Sequence, residues 1–260
     1  MKKIFTLIIS LFSGLGLLLA LWNSVLADPT LVNNNGMIVN IGTSGNTILS
    51  STLRVTDTLL LPDQITYTIE TLPAHGTLFL GSNPLTVTGN FTSFTQLDIN
   101  NNQIKYDHNG TTTPITDSFD FFIQHDTAPI QNQSFDITIN QPPVAISDTI
   151  RVLEGGTVTN TTDNGETVAI NDTDPNGGTL TVTTTPITAP THFTNTFLLG
   201  HSGSFTYEHD GSENLTDEFV YEICDDGPTP LCDEATATII ITGVVALTPT
   251  LSAHGPFTIP

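Results

Sequence analysis

The sequence predicts an all-β protein in which two tandem β-sandwich domains follow an N-terminal export signal. Three observations predict this architecture. After residue 27, short runs of alternating apolar and polar residues are separated by Gly, Pro, Asn and Asp, and no long segment has apolar residues at helical spacing. One stretch of the chain occurs twice, which indicates two modules. Directly after Met1, two lysines precede an apolar run.

Residues 1–27 have the features of a signal peptide. Lys2 and Lys3 precede an apolar run from Ile4 to Leu21, and Val25-Leu26-Ala27 places small residues where signal peptidase cleaves. We predict that this segment is cleaved, so that the mature chain has no membrane span. The alternative is an uncleaved membrane anchor, because the apolar run approaches the length of a bilayer-spanning helix.

The first module is predicted at residues 31–140. Its strands are indicated by alternating runs, and the abundant threonine suits strands that are half exposed to water. Between these strands, "FTQLDINN" at 94–101 predicts one short helical turn capped by Thr95. The predicted strands are "ITYTIE" at 65–70, "SFDFFI" at 118–123 and "SFDITI" at 134–139.

The second module is predicted at residues 144–243, because "YEHDGSENLTDEFVYEI" at 207–223 repeats "YDHNGTTTPITDSFDFFI" at 106–123. The repeat matches Tyr106 with Tyr207, His108 with His209 and Asp117 with Asp217. The modules are joined by "QPPVAISDT" at 141–149, in which two prolines stiffen the chain. The predicted strands of the second module are "TLTVTT" at 179–184, "FVYEI" at 219–223 and "TATIII" at 236–241. Residues 244–260 are interpreted as a tail or the start of a further module.

The charge of the predicted exported part is strongly negative. All 26 acidic residues follow Ala27, whereas Arg54, Lys105 and Arg151 are the basic residues that do so. This balance argues against nucleic acid or anionic lipid as a partner, because there is no basic patch to contact phosphates. A divalent cation would relieve the repulsion between carboxylates. The alternative interpretation is that an acidic surface keeps a secreted protein soluble.

Cys224 and Cys232 lie eight positions apart in "CDDGPTPLC", and the turn chemistry of Asp-Asp-Gly-Pro places them on neighbouring antiparallel strands. In an exported chain we predict a disulfide between them. Closing so short a loop stabilises a fold by about 2.5 kcal/mol, so the predicted role is a local staple. A redox-active pair is the weaker alternative, because the spacing is not Cys-x-x-Cys.

Four stretches of the second module stand in a characteristic order: "LEGGT" at 153–157, "NDTDPNGGTLTV" at 171–182, "GSFTYEHDG" at 203–211 and "TDEFVYEICDDG" at 216–227. Through them the second module resembles the bacterial cadherin-like and Ig-like tandem repeats of surface adhesins. The first module resembles the proteoglycan type of cadherin-like repeat through "ITYTIETLPAHGTLFL" at 65–80 and "FTQLDINNNQIKYDHNG" at 94–110. This resemblance implies Greek-key β-sandwiches repeated along a cell surface and rigidified by Ca²⁺ near their junctions.

The turn "NDTDPNGG" predicts a weak calcium site, because calcium binds carboxylate, amide and carbonyl oxygens. Asp172 and Asp174 alternate along an extended backbone, which predicts that their side chains lie on one side. The resemblance adds Asp148 and Glu154, and Asp225 is a further acidic candidate. The alternative is that Asp and Asn here only form turns. The predicted metal ligands are Asp148, Glu154, Asp172, Asp174, Asn176, Asp217 and Asp226.

The sequence favours a non-enzymatic protein, because it contains none of the common nucleophile, zinc-protease or phosphate-binding motifs. His108 and His209 each precede a glycine turn without a second ligand at metal spacing, so they are interpreted as structural. The predicted function is a secreted or cell-surface adhesin or spacer segment. Its predicted partners are other surface proteins or glycans, and the sequence leaves open whether the contact is homophilic or heterophilic. The alternative function is a carbohydrate-binding or accessory module of a larger extracellular enzyme.

Overall fold

The structure, a computed structural model, describes residues 28–90, 92–125, 128–162 and 165–244, without the side chains of residues 195 and 196. Two separate hydrophobic cores lie in this part of the chain. The first draws on residues between Val39 and Ile139, and the second on residues between Ile150 and Ile241. The predicted signal peptide and the segment 245–260 lie outside the described residues.

The first domain is a β-sandwich of a five-stranded sheet, a four-stranded sheet and a two-stranded ribbon. The sheet orders are β2-β11-β10-β5-β8, β3-β9-β6-β7 and β1-β4. The strands are β1 (Thr30–Asn34), β2 (Met37–Asn40), β3 (Asn46–Thr47), β4 (Leu53–Thr56), β5 (Thr66–Thr71), β6 (Gly76–Leu80), β7 (Asn83–Pro84), β8 (Ser93–Thr95), β9 (Ile104–His108), β10 (Thr116–Ile123) and β11 (Ile130–Asn140).

The second domain is a smaller β-sandwich with sheet orders β12-β18-β17-β14 and β13-β16-β15. In both domains the last long strand pairs in parallel with an early strand, β11 with β2 and β18 with β12. The strands are β12 (Asp148–Leu153), β13 (Thr157–Val158), β14 (Thr181–Val182), β15 (Phe193–Leu199), β16 (Phe205–His209), β17 (Thr216–Cys224) and β18 (Cys232–Thr242). The predicted all-β fold of two sandwiches is confirmed.

Alternating burial along the strands explains the two cores. Every second residue of β10 and of β17 is buried, because successive side chains of a strand point to opposite faces. Tyr106 and Phe119 in the first domain and Tyr207 and Phe219 in the second are fully buried. Aromatic side chains of this size bury large apolar areas, so the repeated stretch supplies much of each core.

The predicted helical turn is present as α1 (Gln96–Asn100), which follows β8 directly. The Thr95 hydroxyl accepts a hydrogen bond from the Asp98 N–H, and the Asp98 carboxylate accepts one from the Thr95 N–H. This reciprocal capping satisfies backbone donors at the helix start. In the described residues, no helix has the length and apolarity needed to cross a membrane.

Candidate functional site at the domain joint

Two asparagines mark the end of the first domain at its joint with the second. Asn40 and Asn140 are register partners at the ends of the parallel strands β2 and β11. The Asn140 side-chain amide donates to the Asn40 Oδ1 at 3.2 Å, and the Asn40 amide donates to the Thr229 carbonyl of the second domain at 2.8 Å. Direct hydrogen bonds therefore connect the two domains.

The loop between β17 and β18, residues Asp225 to Leu231, is the part of the second domain that reaches these asparagines. The Asn140 amide donates to Asp225 Oδ2 at 2.8 Å. Asp225 is 5% exposed, and its Oδ1 accepts the N–H groups of Gly227 and Leu231. We call this segment the clamp loop. A β-carbon on Gly227 would overlap the Asn140 amide, so only glycine permits this close approach.

The turn from Asp172 to Gly178, which we call the acidic turn, makes the second connection. Asp174 accepts the N–H of Asn176 at 2.8 Å and that of Gly178 at 2.7 Å, which fixes the turn. The Asn176 side chain then accepts the Gln141 N–H at 2.8 Å and donates to the Ile139 carbonyl at 2.9 Å. The acidic turn therefore holds the last residues of the first domain.

Two carboxylates meet where the acidic turn and the clamp loop approach each other. A β-carbon built on Gly178 would overlap both Asp174 Oδ2 and Asp226 Oδ1. The two oxygens therefore lie within about 5 Å of each other, close enough for like charges to repel. Neither segment contains a lysine or an arginine. Carboxylate oxygens are the ligands that hard cations prefer, and Gly178 places no side chain between the two.

A second acidic group surrounds the Tyr221 hydroxyl. Asp148, which is 3% exposed, and Asp172 both approach that hydroxyl, at 3.2 and 3.1 Å. Asp172 also accepts the Ile146 N–H at 2.7 Å. Burial raises the pKa of the Asp172 carboxyl above its usual value, and the nearby Asp233 carboxylate raises it further. The hydrogen bonds from the Ile146 N–H and the Tyr221 hydroxyl lower this pKa but do not cancel the rise. The carboxylates of Asp172 and Asp174 thus have different partners, although they were expected on one side of the turn.

The structure does not bring Glu154 or Asp217 to the joint. Glu154 follows β12, which runs away from the joint, and its carboxylate accepts the Val244 N–H at 3.1 Å. Asp217 lies eight residues before Asp225 along β17, roughly 26 Å at strand spacing. Its carboxylate is occupied by the N–H groups of Thr191 and His192. The structure therefore separates Glu154 and Asp217 from the predicted ligands at the joint, and the calcium site itself remains a prediction.

The predicted disulfide between Cys224 and Cys232 is confirmed. Among the described residues, the acidic, cysteine and histidine side chains that converge as a group of three are Glu222, Cys224 and Cys232. Because both cysteines are in the disulfide, they offer no thiolate to a metal. Among the described residues, this group therefore offers no metal site, and it does not include the Asp174 and Asp226 pair.

The matched histidines are the last residues of β9 and β16, and each contacts two loops. His108 Nδ1 accepts the N–H groups of Gly42 and Gly110 at 2.9 and 3.1 Å. His209 Nδ1 accepts those of Gly155 and Gly211 at 3.1 and 3.3 Å. Both imidazoles are buried. This geometry agrees with the interpretation that they hold turns.

The geometry defines a class of protein: a tandem β-sandwich repeat whose domains meet at an acidic, hydrogen-bonded joint. Family models narrow the class further. A model described as "Cadherin-like" matches residues 29–139, and one described as "Bacterial cadherin-like domain" matches residues 140–243. The chain therefore consists, over these residues, of two tandem cadherin-like domains, the second of the bacterial type.

Curated relatives are much longer proteins. The chain is 30% identical over 210 residues to extracellular matrix protein 3 of Lytechinus variegatus, covering 76% of the chain and 6% of that protein. It is 27% identical over 215 residues to human extracellular matrix organizing protein FRAS1, covering 76% and 5%. Among solved structures, extracellular cadherin domains 1–5 of protocadherin gamma B2 match with a TM-score of 0.37 and 9% identity, covering 85% of this chain and 41% of that one.

Proposed function

We propose that this chain is a non-enzymatic segment of an extracellular adhesin or surface spacer in which Ca²⁺ at the domain joint restricts bending. The observation that carries the proposal is the Asp174 and Asp226 pair, which faces across Gly178 where the two domains meet. The similarity to extracellular matrix proteins and the predicted signal peptide support an extracellular location.

Calcium takes six to eight oxygen ligands in flexible geometry. Asp174 and Asp226 supply the first two, and Asp225 and the Asn176 amide stand beside them on the same two segments. Asp148 and Asp172 form the neighbouring group around Tyr221. Because Asp174, Asp225 and Asn176 already accept N–H groups, water completes the shell. Such a site binds weakly, at about 10⁻⁴ to 10⁻³ M, as extracellular modules do.

The mechanical consequence follows from the position of the pair. Asp174 belongs to the turn that holds Gln141, and Asp226 belongs to the loop that holds Asn140. Repulsion between the two carboxylates pushes these segments apart, whereas a cation between them draws both onto the end of the first domain. Neutralising the pair therefore stiffens the joint.

The test is thermal unfolding and small-angle X-ray scattering of the full chain with calcium, with magnesium or with chelator. With 10 mM calcium and a dissociation constant of about 1 mM, the expected gain in unfolding free energy is about 1.4 kcal/mol. The D226N variant removes one charge of the pair and keeps the hydrogen bonds of Asp174, so it is expected to be more stable than wild type in chelator and to lose the calcium response. The control E70Q/E218Q removes two exposed charges elsewhere and should keep the response.

Equal effects of calcium and magnesium at the same ionic strength, or a full calcium response in D226N, would contradict the proposal. Adhesion is tested separately with beads that carry the chain. Calcium-dependent clustering of such beads would indicate homophilic contact, and capture of glycans or other surface proteins would indicate heterophilic contact.

A further inference from the structure

We propose that the Cys224–Cys232 disulfide is a redox-sensitive clamp on the domain joint. The disulfide closes the base of the clamp loop. Through this loop the second domain binds the ends of strands β2 and β11 of the first domain. This inference concerns hydrogen bonds between the domains and does not depend on calcium.

The clamp loop contacts the first domain at three alternate positions. Asp225 accepts the Asn140 amide, Gly227 packs directly on that amide, and the Thr229 carbonyl accepts the Asn40 amide. Pro228 lies between them and lines a cavity of about 480 Å³ together with Met37, Ile38 and other residues at the edge of the first domain. One short loop therefore provides a continuous contact along the end of the β2 and β11 pair.

The disulfide lies at the base of this loop. Cys224 and Cys232 are the last register pair of the β17 and β18 ladder. Beyond them, the Asp225 N–H donates to the Leu231 carbonyl, and Asp225 Oδ1 accepts two loop N–H groups. Pro228 and Pro230 have no N–H to donate. The covalent bond thus fixes the separation of the two ends of the loop.

The ladder is weakened just before the disulfide. Glu222 and Glu234 are directly opposite each other on the two strands, and like charges in this position are destabilising. The Glu222 carboxylate also lies near both sulfur atoms. Reduction removes the cross-link and leaves two acidic side chains that repel at the end of the ladder. The strand ends then separate more readily, and the clamp loop loses its fixed geometry.

The disulfide can be reached without unfolding the domain. Cys232 is exposed, and Cys224 is partly exposed. A thiolate of an external dithiol attacks one sulfur, which forms a mixed disulfide with that cysteine and releases the other cysteine as a thiol. The second thiolate of the dithiol then displaces the bound cysteine, and the dithiol leaves as a cyclic disulfide. An exposed disulfide is reduced more readily than a buried structural one.

The test compares the oxidised and the reduced full chain in excess chelator. Side-chain amide resonances of Asn40 and Asn140, amide hydrogen exchange and X-ray scattering are measured for both. Reduction is expected to move both asparagine resonances toward free-amide positions and to speed exchange of the Gly227 and Leu231 amides by at least about tenfold. It should also broaden the distribution of interdomain angles. The amides of Phe219 and Ile239, in the centre of the domain, should stay protected.

Two variants make the test decisive. C224V/C232V keeps an apolar cross-strand pair and should behave as the reduced chain does under all conditions. N40A, with the disulfide intact, removes one clamp contact directly and should loosen the joint without changing the loop amides. Unchanged asparagine resonances and scattering after complete reduction would overturn the proposal. Because chelator is present throughout, this result would leave the calcium proposal unaffected.

Discussion

Asp117 and Asp217 occupy matching positions in the two domains and make matching bonds. Asp117 accepts the N–H groups of Ala74 and His75 and the Tyr106 hydroxyl. Asp217 does the same with Thr191, His192 and Tyr207. Each carboxylate is buried, and the hydrogen bonds that it accepts are charge-assisted. Each therefore fixes a loop onto the strand that carries the tyrosine.

We predict that Asp217→Asn lowers the unfolding free energy of the second domain by about 2–3 kcal/mol, because an amide nitrogen cannot accept the N–H groups that the carboxylate receives. Chemical denaturation measures the loss. The exposed neighbour change E218Q is the control and should have almost no effect. A stability within about 0.5 kcal/mol of wild type would show that these bonds contribute little.

The same substitution changes the response to acid. Burial would raise the pKa of the Asp217 carboxyl, but the N–H groups of Thr191, His192 and Glu218 outweigh it, so the pKa lies below its usual value. The stabilisation is therefore present above the unfolded-state pKa of about 3.9 and is lost as the pH falls through the lower folded-state pKa. Wild type should lose more stability than D217N below pH 4.

The repeat alignment contained the signal that would have removed Asp217 from the predicted ligand set. Asp117 matches it in the first module, where the Asp-x-Asp turn is missing. The acidic residue therefore occurs in both modules, whereas the Asp-x-Asp turn occurs in the second module alone. Such a residue is better explained by a role inside each domain. Asn140 and Asn40 were missed for a different reason: asparagine is ordinary in loops, and the two are 100 positions apart.

At the scale of the element, the strands β6 and β9 show how one position is used differently in the two domains. Gly76 pairs with His108, and a β-carbon at Gly76 would overlap the Tyr106 ring. In the second domain Phe193 takes the corresponding place opposite His209. The first sandwich therefore accommodates its buried tyrosine by leaving out a side chain on the neighbouring strand.

We predict that Gly76→Ala destabilises the first domain by about 1–3 kcal/mol, since the methyl group forces the Tyr106 ring out of its packed position. Calorimetry that resolves the unfolding transitions of the two domains would measure this loss of stability. The transition of the second domain serves as an internal control. G243A, where a β-carbon has ordinary contacts, is the matched substitution and should be neutral. An unchanged first transition in G76A would mean that the strand shifts at little cost.

At the scale of the whole molecule, uncompensated negative charge is the dominant feature. The part after Ala27 has 26 acidic residues against three basic ones. Self-repulsion of this size opposes the compact state, and repulsion is greatest where carboxylates are held close together, as at the joint.

We predict that raising NaCl from about 0.02 to 0.5 M in chelator increases the melting temperature, because screening shortens the range of repulsion well below 10 Å. The calcium effect should appear at millimolar concentration and should persist at high salt, since closely held pairs are screened less. A neutral osmolyte of equal osmolarity is the control. A melting temperature that is independent of salt would show that surface charge does not limit stability.

The sequence by itself determined the all-β class, the two sandwiches, the capped helical turn and the disulfide, because each depends on local alternation, turn residues or spacing. It also located the acidic turn and the cysteine-closed loop. Only the tertiary structure decided which acidic residues meet, because that depends on strands far apart in sequence. It placed Asp226 against Asp174, joined Asn140 to Asp225, and left Glu154 and Asp217 at the far end of their domain.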